Sequence, residues 1–302
     1  MGIMVGARCA NGARLRRCGG YWHAWRAALL VALPWTAAAP AAAPAFDHVV
    51  VVVMENHSYD DIIGAASAPY LNSLAASGAS FTNSFAIEHP SQPNYLDLFS
   101  GSNQGVTDDS CPHTFSTANL GSQLIAAGFS FAGYSETLPA AGSTVCTSGS
   151  HGYARKHNPW VNFSNLAATT NQPFSAFPQD FSTLPTLSFV IPNLCNDMHD
   201  CSIATGDNWI KANIDAYAQW ATGHNSVLVV TWDEDDYSQS NQIATIVFGA
   251  LVIPGNYAEP INHYTVLATL EAMYGLAALG GAADEEPIAD IWDTTVFRDG
   301  FD

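Results

Sequence analysis

Polar side chains follow three apolar runs of the sequence, at the point where each run ends. ENH at 55–57 follows HVVVVVM, DEDD at 233–236 follows SVLVVTW, and NLCNDMHD at 193–200 follows TLSFVIP. Carboxylate and amide oxygens suit Mg²⁺, Ca²⁺ or Mn²⁺, whereas added histidines admit Zn²⁺ or iron. One such group alone is typical of a solvated loop. Three groups at three strand ends indicate a site for a divalent cation.

A serine, Ser91, lies where a helix is predicted to begin. Pro93 suits the first turn of a helix, and YLDLF continues the helical pattern. At a helix N-terminus the free N–H groups and the dipole favour an anion, either a phosphate or a serine alkoxide. A serine in this position is also a common N-cap. A nearby dication would favour a nucleophilic role, because metal coordination activates a hydroxyl.

Two histidines have informative neighbours. His157 follows the one adjacent basic pair that lies beyond the N-terminal segment, Arg155 and Lys156, where an anionic substrate can bind. His263 opens a predicted helix. Each alone is typical of a surface or capping histidine. The histidines without such neighbours are predicted to be structural or solvated: His48, His113, His151 and His224.

These residues depend on the elements that position them. Continuous β-branched runs predict strands at 48–54, 186–192, 226–232 and 243–253, with a weaker strand at 129–134. Helical periodicity predicts helices at 68–77, 93–99, 120–127, 206–222 and 263–274. Because strands and helices alternate, we expect one α/β domain. Ligands of such folds bind at the carboxyl ends of the strands.

The first 43 residues differ in composition from the rest. They hold five arginines and no acid, followed by an apolar run that ends in alanines and prolines. This order is typical of a signal peptide with cleavage near 38–43. A membrane anchor, the alternative, needs about 20 apolar residues, and the run at 27–43 is shorter and broken by two prolines. We therefore predict a signal peptide at 1–43 and export to the periplasm or the extracellular medium.

The charge balance excludes two classes of partner. After removal of 1–43, four basic residues remain against 27 acidic ones, a formal net charge of −23. Such a surface repels nucleic acid and anionic membranes. We expect no nucleic-acid partner, no stable membrane insertion, and a monomer.

Four cysteines remain beyond the predicted cleavage site: Cys111, Cys146, Cys195 and Cys201. An even number in an exported chain predicts disulfides. Three pairings are possible, and 111–146 with 195–201 is preferred because it closes the shortest loops. A structural zinc site is the alternative, but no C-x₂-C spacing supports it.

Six motifs occur in a fixed order: ENHSYD, HPSQPNYLDLFSG, ARKHNPWVNF, IPNLCNDMHD, VVTWDEDD and NHYTVLATLEAMYGL. Together they resemble the bacterial phosphoesterase family of secreted acid phosphatases and phospholipases C, within the alkaline-phosphatase-like superfamily. The resemblance covers about residues 46–292. It implies an α/β three-layer sandwich with a mostly parallel central sheet, a phosphoesterase domain at 44–293, and a C-terminal tail at 294–302 outside the family pattern.

The resemblance also implies a role for each matching residue. Ser91 matches the nucleophile, which becomes a phosphoserine during turnover. The implied metal ligands around it are Glu55, Asn56, Asp233 and Glu234, together with Ser91 itself. Asp197, His199 and His263 match positions that hold either a second cation or the phosphate, and the resemblance leaves both open.

The remaining matches concern the substrate. His157 matches a histidine that can protonate the leaving alcohol. His89 and Asn94 flank the nucleophile and are expected to position it or the phosphate. Arg155 and Lys156 are the expected contacts of an anionic substrate. His57, which follows Asn56 directly, is expected to face away from the site.

The implied activity is a metal-dependent acid phosphatase that hydrolyses phosphate monoesters, with a phosphoinositide such as phosphatidylinositol 3-phosphate as one candidate substrate. The cation stays open among Mg²⁺, Ca²⁺, Mn²⁺ and Zn²⁺. A phospholipase C-like phosphodiesterase is the alternative, and the short chain argues against it because little remains for a lipid-docking domain. A cation-binding protein without turnover is disfavoured by the presence of Ser91, Glu55, Asp233 and His263.

Overall fold

The computed structural model describes residues 43–293 and residue 295. The predicted signal peptide at 1–43 lies outside the described residues except for Ala43, and the predicted tail at 294–302 lies outside them except for Thr295. Within the described part of the chain, no helix has both the length and the apolar character needed to cross a membrane.

Strands and helices alternate through the chain, as expected. The strands are β1 His48–Met54, β2 Ala79–Phe85, β3 Phe131–Ser135, β4 Thr147–Ser148, β5 Tyr153–Ala154, β6 Asn171–Pro173, β7 Leu187–Ile191, β8 Ser226–Trp232, β9 Gln242–Gly249, β10 Gly255–Tyr257 and β11 Ile261–Asn262. The α-helices are α1 Tyr59–Ile62, α2 Pro69–Ser77, α3 Ser91–Ser100, α4 Leu120–Ala126, α5 Ile203–Asn213, α6 Asp215–Ala221 and α7 His263–Met273. Short 3₁₀ helices span Arg155–His157, Pro159–Asn162, Ala168–Thr170, Phe174–Ala176, Phe181–Thr183 and Gly280–Asp284.

The main sheet has nine strands in the order β10-β2-β9-β8-β1-β7-β3-β6, with β11 also paired to β2. Among the strands of this sheet that the structure describes, β9 alone runs antiparallel to its neighbours, β2 and β8. The carboxyl ends of β1, β2, β3, β7 and β8 therefore lie at one edge of the sheet. The prediction of an α/β fold with a mostly parallel sheet is confirmed.

The valine run of β1 is buried on both faces of the sheet. Val49, Val51 and Val53 belong to one core with Leu96 of α3 and Leu267 of α7. Val50 and Val52 belong to a second core with Leu71 of α2, Ile210 of α5 and Ala218 of α6. Because successive strand residues point to opposite faces, the run fills both cores at once. Burial on both sides fixes the point at which the strand ends and the polar residues begin.

Strand β2, which leads to Ser91, was missed by the sequence prediction. Its sequence ASFTNSF lacks a β-branched run and contains several hydroxyl and amide side chains. The buried Ser84 Oγ lies 2.8 Å from Thr245 Oγ1 of β9, which in turn lies 2.9 Å from Thr231 Oγ1 of β8. Hydrogen bonds across three strands satisfy these hydroxyls, so polar residues form a buried strand here.

Two predicted boundaries were wrong. The strand predicted at 243–253 ends at Gly249, where φ is 143°, and Leu251 follows in the left-handed region at φ 61°. The helix predicted at 206–222 is two helices, Ile203–Asn213 and Asp215–Ala221, which meet at Ile214, where φ widens to −117° while ψ stays near helical at −23°. Both breaks are set by single residues inside an apolar or periodic pattern, so the pattern alone does not show them.

Both expected disulfides are present in the structure, Cys111–Cys146 and Cys195–Cys201. The second closes a short loop around Asp197 and His199. The first ties the segment before α4 to the residue that directly precedes β4.

Candidate active site

Ser91 lies at the first position of α3, and the ends of two strands bring carboxylates to it. Its Oγ donates to Glu55 Oε2 at 3.2 Å and to Glu234 Oε1 at 3.3 Å. Glu55 directly follows β1 and Glu234 lies two residues after β8, while Ser91 itself follows β2 through a short loop. All three side chains are buried. The sheet edge thus places one hydroxyl between two carboxylates.

Asn56 and Asp233 complete this group. Asn56 has a left-handed backbone, φ 50°, a conformation that asparagine tolerates better than most residues. Its N–H donates to Asp233 Oδ1 at 3.1 Å. Its side-chain amide lies 3.2 Å from Glu55 Oε2 and 3.3 Å from Glu234 Oε1. The amide nitrogen facing these oxygens would donate two hydrogen bonds, and the amide oxygen facing them would add a further oxygen ligand.

A second group of possible metal ligands shares Glu55. Ligand atoms of Glu55, His157 and Asp197 lie within 4.8 Å of one another, and all three residues are buried. Asp197 Oδ2 and Asp233 Oδ2 are buried without a hydrogen-bond donor among the described residues. Buried carboxylate oxygens without donors are costly unless a cation faces them. The residues present therefore fit a metal ion.

Burial raises the pKa of every carboxylate in this cluster. The pKa of Glu55 is raised well above its ordinary value by desolvation and then by the charges of Asp233 and Asp197. Desolvation likewise raises the pKa of Asp197 well above its ordinary value, that of Asp233 to about 6, and that of Glu234 to about 9. A dication would favour the ionised forms, because it supplies the missing positive charge.

His157 lies between two of these carboxylates. Its Nε2 is 3.2 Å from Glu55 Oε1, and its Nδ1 is 3.5 Å from Asp197 Oδ2. Its ring stacks on Tyr95, with ring centroids 5.1 Å apart, and the Tyr95 hydroxyl donates to the same oxygen, Glu55 Oε1. Burial, followed by the nearby charge of Lys156, lowers the pKa of His157 well below its ordinary value. The neutral imidazole is therefore favoured.

His263 and His199 occupy different settings. His263 is buried at the start of α7, and its Nε2 lies 2.6 Å from the main-chain oxygen of Asp233. Desolvation lowers its pKa to about 4, so the neutral ring donates to that oxygen and holds the end of β8. His199 is partly exposed. Its main-chain N–H donates to Asp197 Oδ1 at 2.8 Å, and its ring Nδ1 lies 2.7 Å from Asp200 Oδ1.

His89 and Asn94 hold the loop before Ser91. His89 Nδ1 lies 2.8 Å from Glu234 Oε2, and its Nε2 lies 3.2 Å from Asp235 Oδ1. Asn94 Oδ1 accepts from the N–H groups of Ile87 and Glu88, at 3.1 and 3.0 Å. Both side chains therefore fix the approach to α3.

Arg155 and Lys156, the adjacent basic pair, bind different parts of the protein. Arg155 donates to Asn162 Oδ1, Thr144 O, His113 O and Val161 O. None of these is a predicted site residue, so the described contacts of Arg155 are structural. Lys156 Nζ donates to Asp109 Oδ2 at 2.8 Å, and Asp109 Oδ1 accepts from the N–H of Gln92 at 3.0 Å. Lys156 thus reaches the residue next to Ser91 through one carboxylate.

Several site residues were not found from the sequence. Tyr95 belongs to the apolar pattern of α3, and nothing in YLDLF indicates that its hydroxyl contacts Glu55. Asp109 lies in a loop without a recognisable motif. His57, which was expected to face away, pairs with Asp61 at 3.7 Å. The other predicted metal ligands and histidines lie at the same sheet edge.

The comparisons with known proteins agree with this geometry. Residues 65–277 match the model of the Phosphoesterase family. The chain is 56% identical over 264 residues to a phosphatidylinositol-3-phosphatase of Mycobacterium tuberculosis, covering 86% of this chain and 88% of that protein. It is 32% identical over 272 residues to a phosphate-repressible acid phosphatase of Penicillium chrysogenum, covering 84% of this chain and 65% of that one.

A solved structure also shares the fold. A protein of the alkaline phosphatase superfamily from Vibrio parahaemolyticus has a TM-score of 0.57 and 11% sequence identity, covering 83% of this chain and 72% of that one. At this identity the likeness concerns the fold alone, and it confirms the expected alkaline-phosphatase-like architecture. The family match covers most of the described domain and includes Ser91, Asp197, Asp233 and His263. This chain therefore belongs to the phosphoesterase family.

Proposed function

We propose that this chain is an exported acid phosphatase, a phosphoric monoester hydrolase in which Ser91 is the nucleophile. The main support for this proposal is the position of the Ser91 hydroxyl at the start of α3, within hydrogen-bond distance of two buried carboxylates. Relatives named as phosphatases support the reaction class. The phosphatidylinositol-3-phosphatase relative makes a phosphoinositide the first substrate to test. The two disulfides support an oxidising compartment, and the proposed catalytic domain is 44–293.

The reaction proceeds in two displacements. Ser91 Oγ forms a bond to phosphorus as the ester P–O bond breaks, and the hydroxyl proton passes to Glu55 or Glu234. His157, which is neutral at rest, takes up this proton from Glu55, whose Oε1 lies 3.2 Å from its Nε2, and gives it to the leaving alkoxide, so that a neutral alcohol departs. Water then attacks the phosphoserine, Ser91 Oγ leaves and regains a proton, and inorganic phosphate is released.

The other residues hold this arrangement. His263 positions Asp233 through its main-chain oxygen, and Asn94 and His89 position the loop that carries Ser91. Asp197 Oδ2 lies 3.5 Å from Nδ1 of His157, the ring nitrogen that does not face Glu55. His199 is the partly exposed imidazole next to His157, with ring centroids 6.0 Å apart, and is positioned to meet the substrate.

Five residues would hold a divalent cation: Glu55, Asn56, Ser91, Asp233 and Glu234. When bound, a dication lowers the pKa of a ligated hydroxyl and neutralises the charge of a phosphate. The oxygen-rich donor set suits Mg²⁺, Ca²⁺ or Mn²⁺, and the nearby His157 and Asp197 also admit Zn²⁺. Metal analysis of the purified protein distinguishes these ions.

The decisive test is phosphate release from an aryl phosphate by the purified protein, with and without chelator. We expect Ser91→Ala to lower kcat by about three orders of magnitude or more. Ser122→Ala, in the first turn of α4, is the matched control and should keep kcat, because the Ser122 hydroxyl bonds to Asn119 alone among the described residues. Full activity of Ser91→Ala would exclude the proposed nucleophile. Activity on phosphocholine esters instead of phosphatidylinositol 3-phosphate and aryl phosphate would identify a phosphodiesterase.

A further inference from the structure

The carboxylate of Asp109 bridges the start of α3 and a lysine. Asp109 Oδ1 accepts from the N–H of Gln92 at 3.0 Å, and Oδ2 accepts from Lys156 Nζ at 2.8 Å. Gln92 is the residue directly after Ser91. The Asp109 carboxylate therefore binds both a main-chain N–H group and the Lys156 ammonium beside the proposed nucleophile.

These two donors are the ones that suit a phosphate on Ser91. The N–H groups in the first turn of a helix have no acceptor within the helix, and they favour an anion. Gln92 directly follows Ser91 in the first turn of α3, so its N–H is a donor available to a phosphate on Ser91 Oγ once Asp109 releases it. An anionic carboxylate in this place has the same charge sign as a substrate phosphate, and both cannot use the donors at once.

Lys156 is the basic side chain that faces the site. The described residues contain three Lys and Arg side chains, and Arg155 is committed to the carbonyl and amide groups described above. Lys211 lies in the last turn of α5. Burial lowers the pKa of Lys156, but the charge of Glu55 and the bond to Asp109 outweigh it and raise the pKa overall. The ammonium therefore stays charged between the acidic cluster and Asp109.

A braced loop presents Asp109 at this position. Cys111, two residues further on, is joined to Cys146. The guanidinium of Arg155 donates to His113 O on one side of this disulfide and to Thr144 O on the other. The Asp109 side chain is 32% exposed, so it can rotate away while the disulfide and Arg155 keep the loop in place.

We propose that Asp109 is a positioning residue that competes with the substrate: its carboxylate holds Gln92 N–H and Lys156 when no phosphate is present, and the phosphate group displaces it. The inference rests on the proposed phosphatase function. It predicts that Asp109 weakens the binding of substrate and product while keeping both donors oriented. It also assigns the loop before Cys111 a part in product release, because Asp109 returns to the donors as phosphate leaves.

The experiment compares Asp109→Asn with Asp108→Asn in the full-length protein loaded with its metal. Asp108 lies in the same loop, but its carboxylate accepts only from Ser110 among the described residues. We expect Asp109→Asn to lower both the KM for aryl phosphate and the inhibition constant of inorganic phosphate by about three- to tenfold, with no increase in kcat, because one charged competitor is removed. Asp108→Asn should change neither constant.

Two further measurements keep the outcomes distinct. Adding Lys156→Met should reduce the effect of Asp109→Asn on the phosphate inhibition constant, because the two residues share one contact. Calorimetric binding of inorganic phosphate to Ser91→Ala, with and without Asp109→Asn, needs no turnover. If wild-type protein hydrolyses no ester, the proposed function fails, while this binding comparison still tests Asp109. Unchanged or weaker phosphate binding by Asp109→Asn, measured against Asp108→Asn, would overturn the inference.

Discussion

Glu55 is the residue on which both halves of the site depend. One oxygen accepts from Ser91, and the other accepts from Tyr95 and lies near His157. The sequence predicted Glu55 as a ligand, because a buried strand ends directly before it. It did not predict Tyr95, since a helical pattern reports which face is buried and does not report where a hydroxyl at its end finds an acceptor. A contact between segments that are distant in the sequence can be identified only once the fold is known.

Tyr95→Phe tests this contact. The hydrogen bond from Tyr95 lowers the pKa of Glu55, against the larger effect of burial that raises it. Without the hydroxyl, Glu55 keeps its proton to higher pH, so activity on the acid side is lost earlier. We expect the acid limb of the kcat/KM profile to move upward by about one pH unit.

The matched control for this change is Tyr153→Phe. The Tyr153 hydroxyl is buried and has no hydrogen-bond partner among the described residues. Like Tyr95→Phe, Tyr153→Phe removes one buried hydroxyl, but this hydroxyl makes no hydrogen bond to Glu55. The two pH profiles are measured at saturating metal. A profile of Tyr95→Phe that matches Tyr153→Phe would contradict the role of the hydroxyl.

At the scale of elements, the site is built from residues at the carboxyl ends of strands, and most of these strand ends could be predicted from the sequence. The runs of β1, β7 and β8 are continuous and apolar, so their ends could be located to within a residue or two. β2 could not, because its sequence has no β-branched run and the partner of its buried Ser84 hydroxyl lies on a strand that is distant in the sequence, at Thr245 of β9. The loop after β7 is also held by Glu136, a residue that follows β3. No sequence motif surrounds Glu136, so the sequence did not predict this contact.

Glu136 braces the loop that carries Asp197 and His199. Its carboxylate accepts from the N–H of Asn193 at 2.9 Å, from Asn196 Nδ2 at 2.9 Å and from Trp209 Nε1 at 3.0 Å. Glu136→Gln weakens these charged hydrogen bonds, so we expect a loss of about 1–3 kcal/mol in the free energy of unfolding. Metal affinity should fall as well, because Asp197 loses its support.

Denaturant unfolding and metal titration measure the two effects of Glu136→Gln. Asp180→Asn is a suitable control, because within the described part of the chain the Asp180 side chain accepts only from Ser182, in an exposed turn. It should change unfolding little and metal affinity not at all. An unchanged metal affinity in Glu136→Gln, at reduced stability, would show that the brace serves the fold alone.

At the scale of the whole molecule, the buried carboxylates oppose folding at neutral pH unless a cation is bound. A carboxyl group whose pKa is raised by folding binds its proton more tightly in the folded state. Its contribution to stability is therefore complete below the unfolded pKa of about 4 and is lost as the pH rises through the folded pKa. For Asp233 that value is about 6, and for Glu234 about 9. Metal binding reverses this trend, because the ligands must be ionised to hold it.

We therefore expect the stabilisation by metal to grow with pH. In chelator, the melting temperature should fall between pH of about 5 and about 8, and a saturating divalent cation should raise it by several degrees more at the higher pH. Calorimetry of both forms at each pH measures the increment. Glu271→Gln is the control, because among the described residues this carboxylate accepts from the N–H of Leu279 and from no proposed ligand, and burial raises its pKa to about 8. It should flatten the pH dependence in chelator without changing the metal increment. A metal increment equal at both pH values would contradict a site built from these carboxylates.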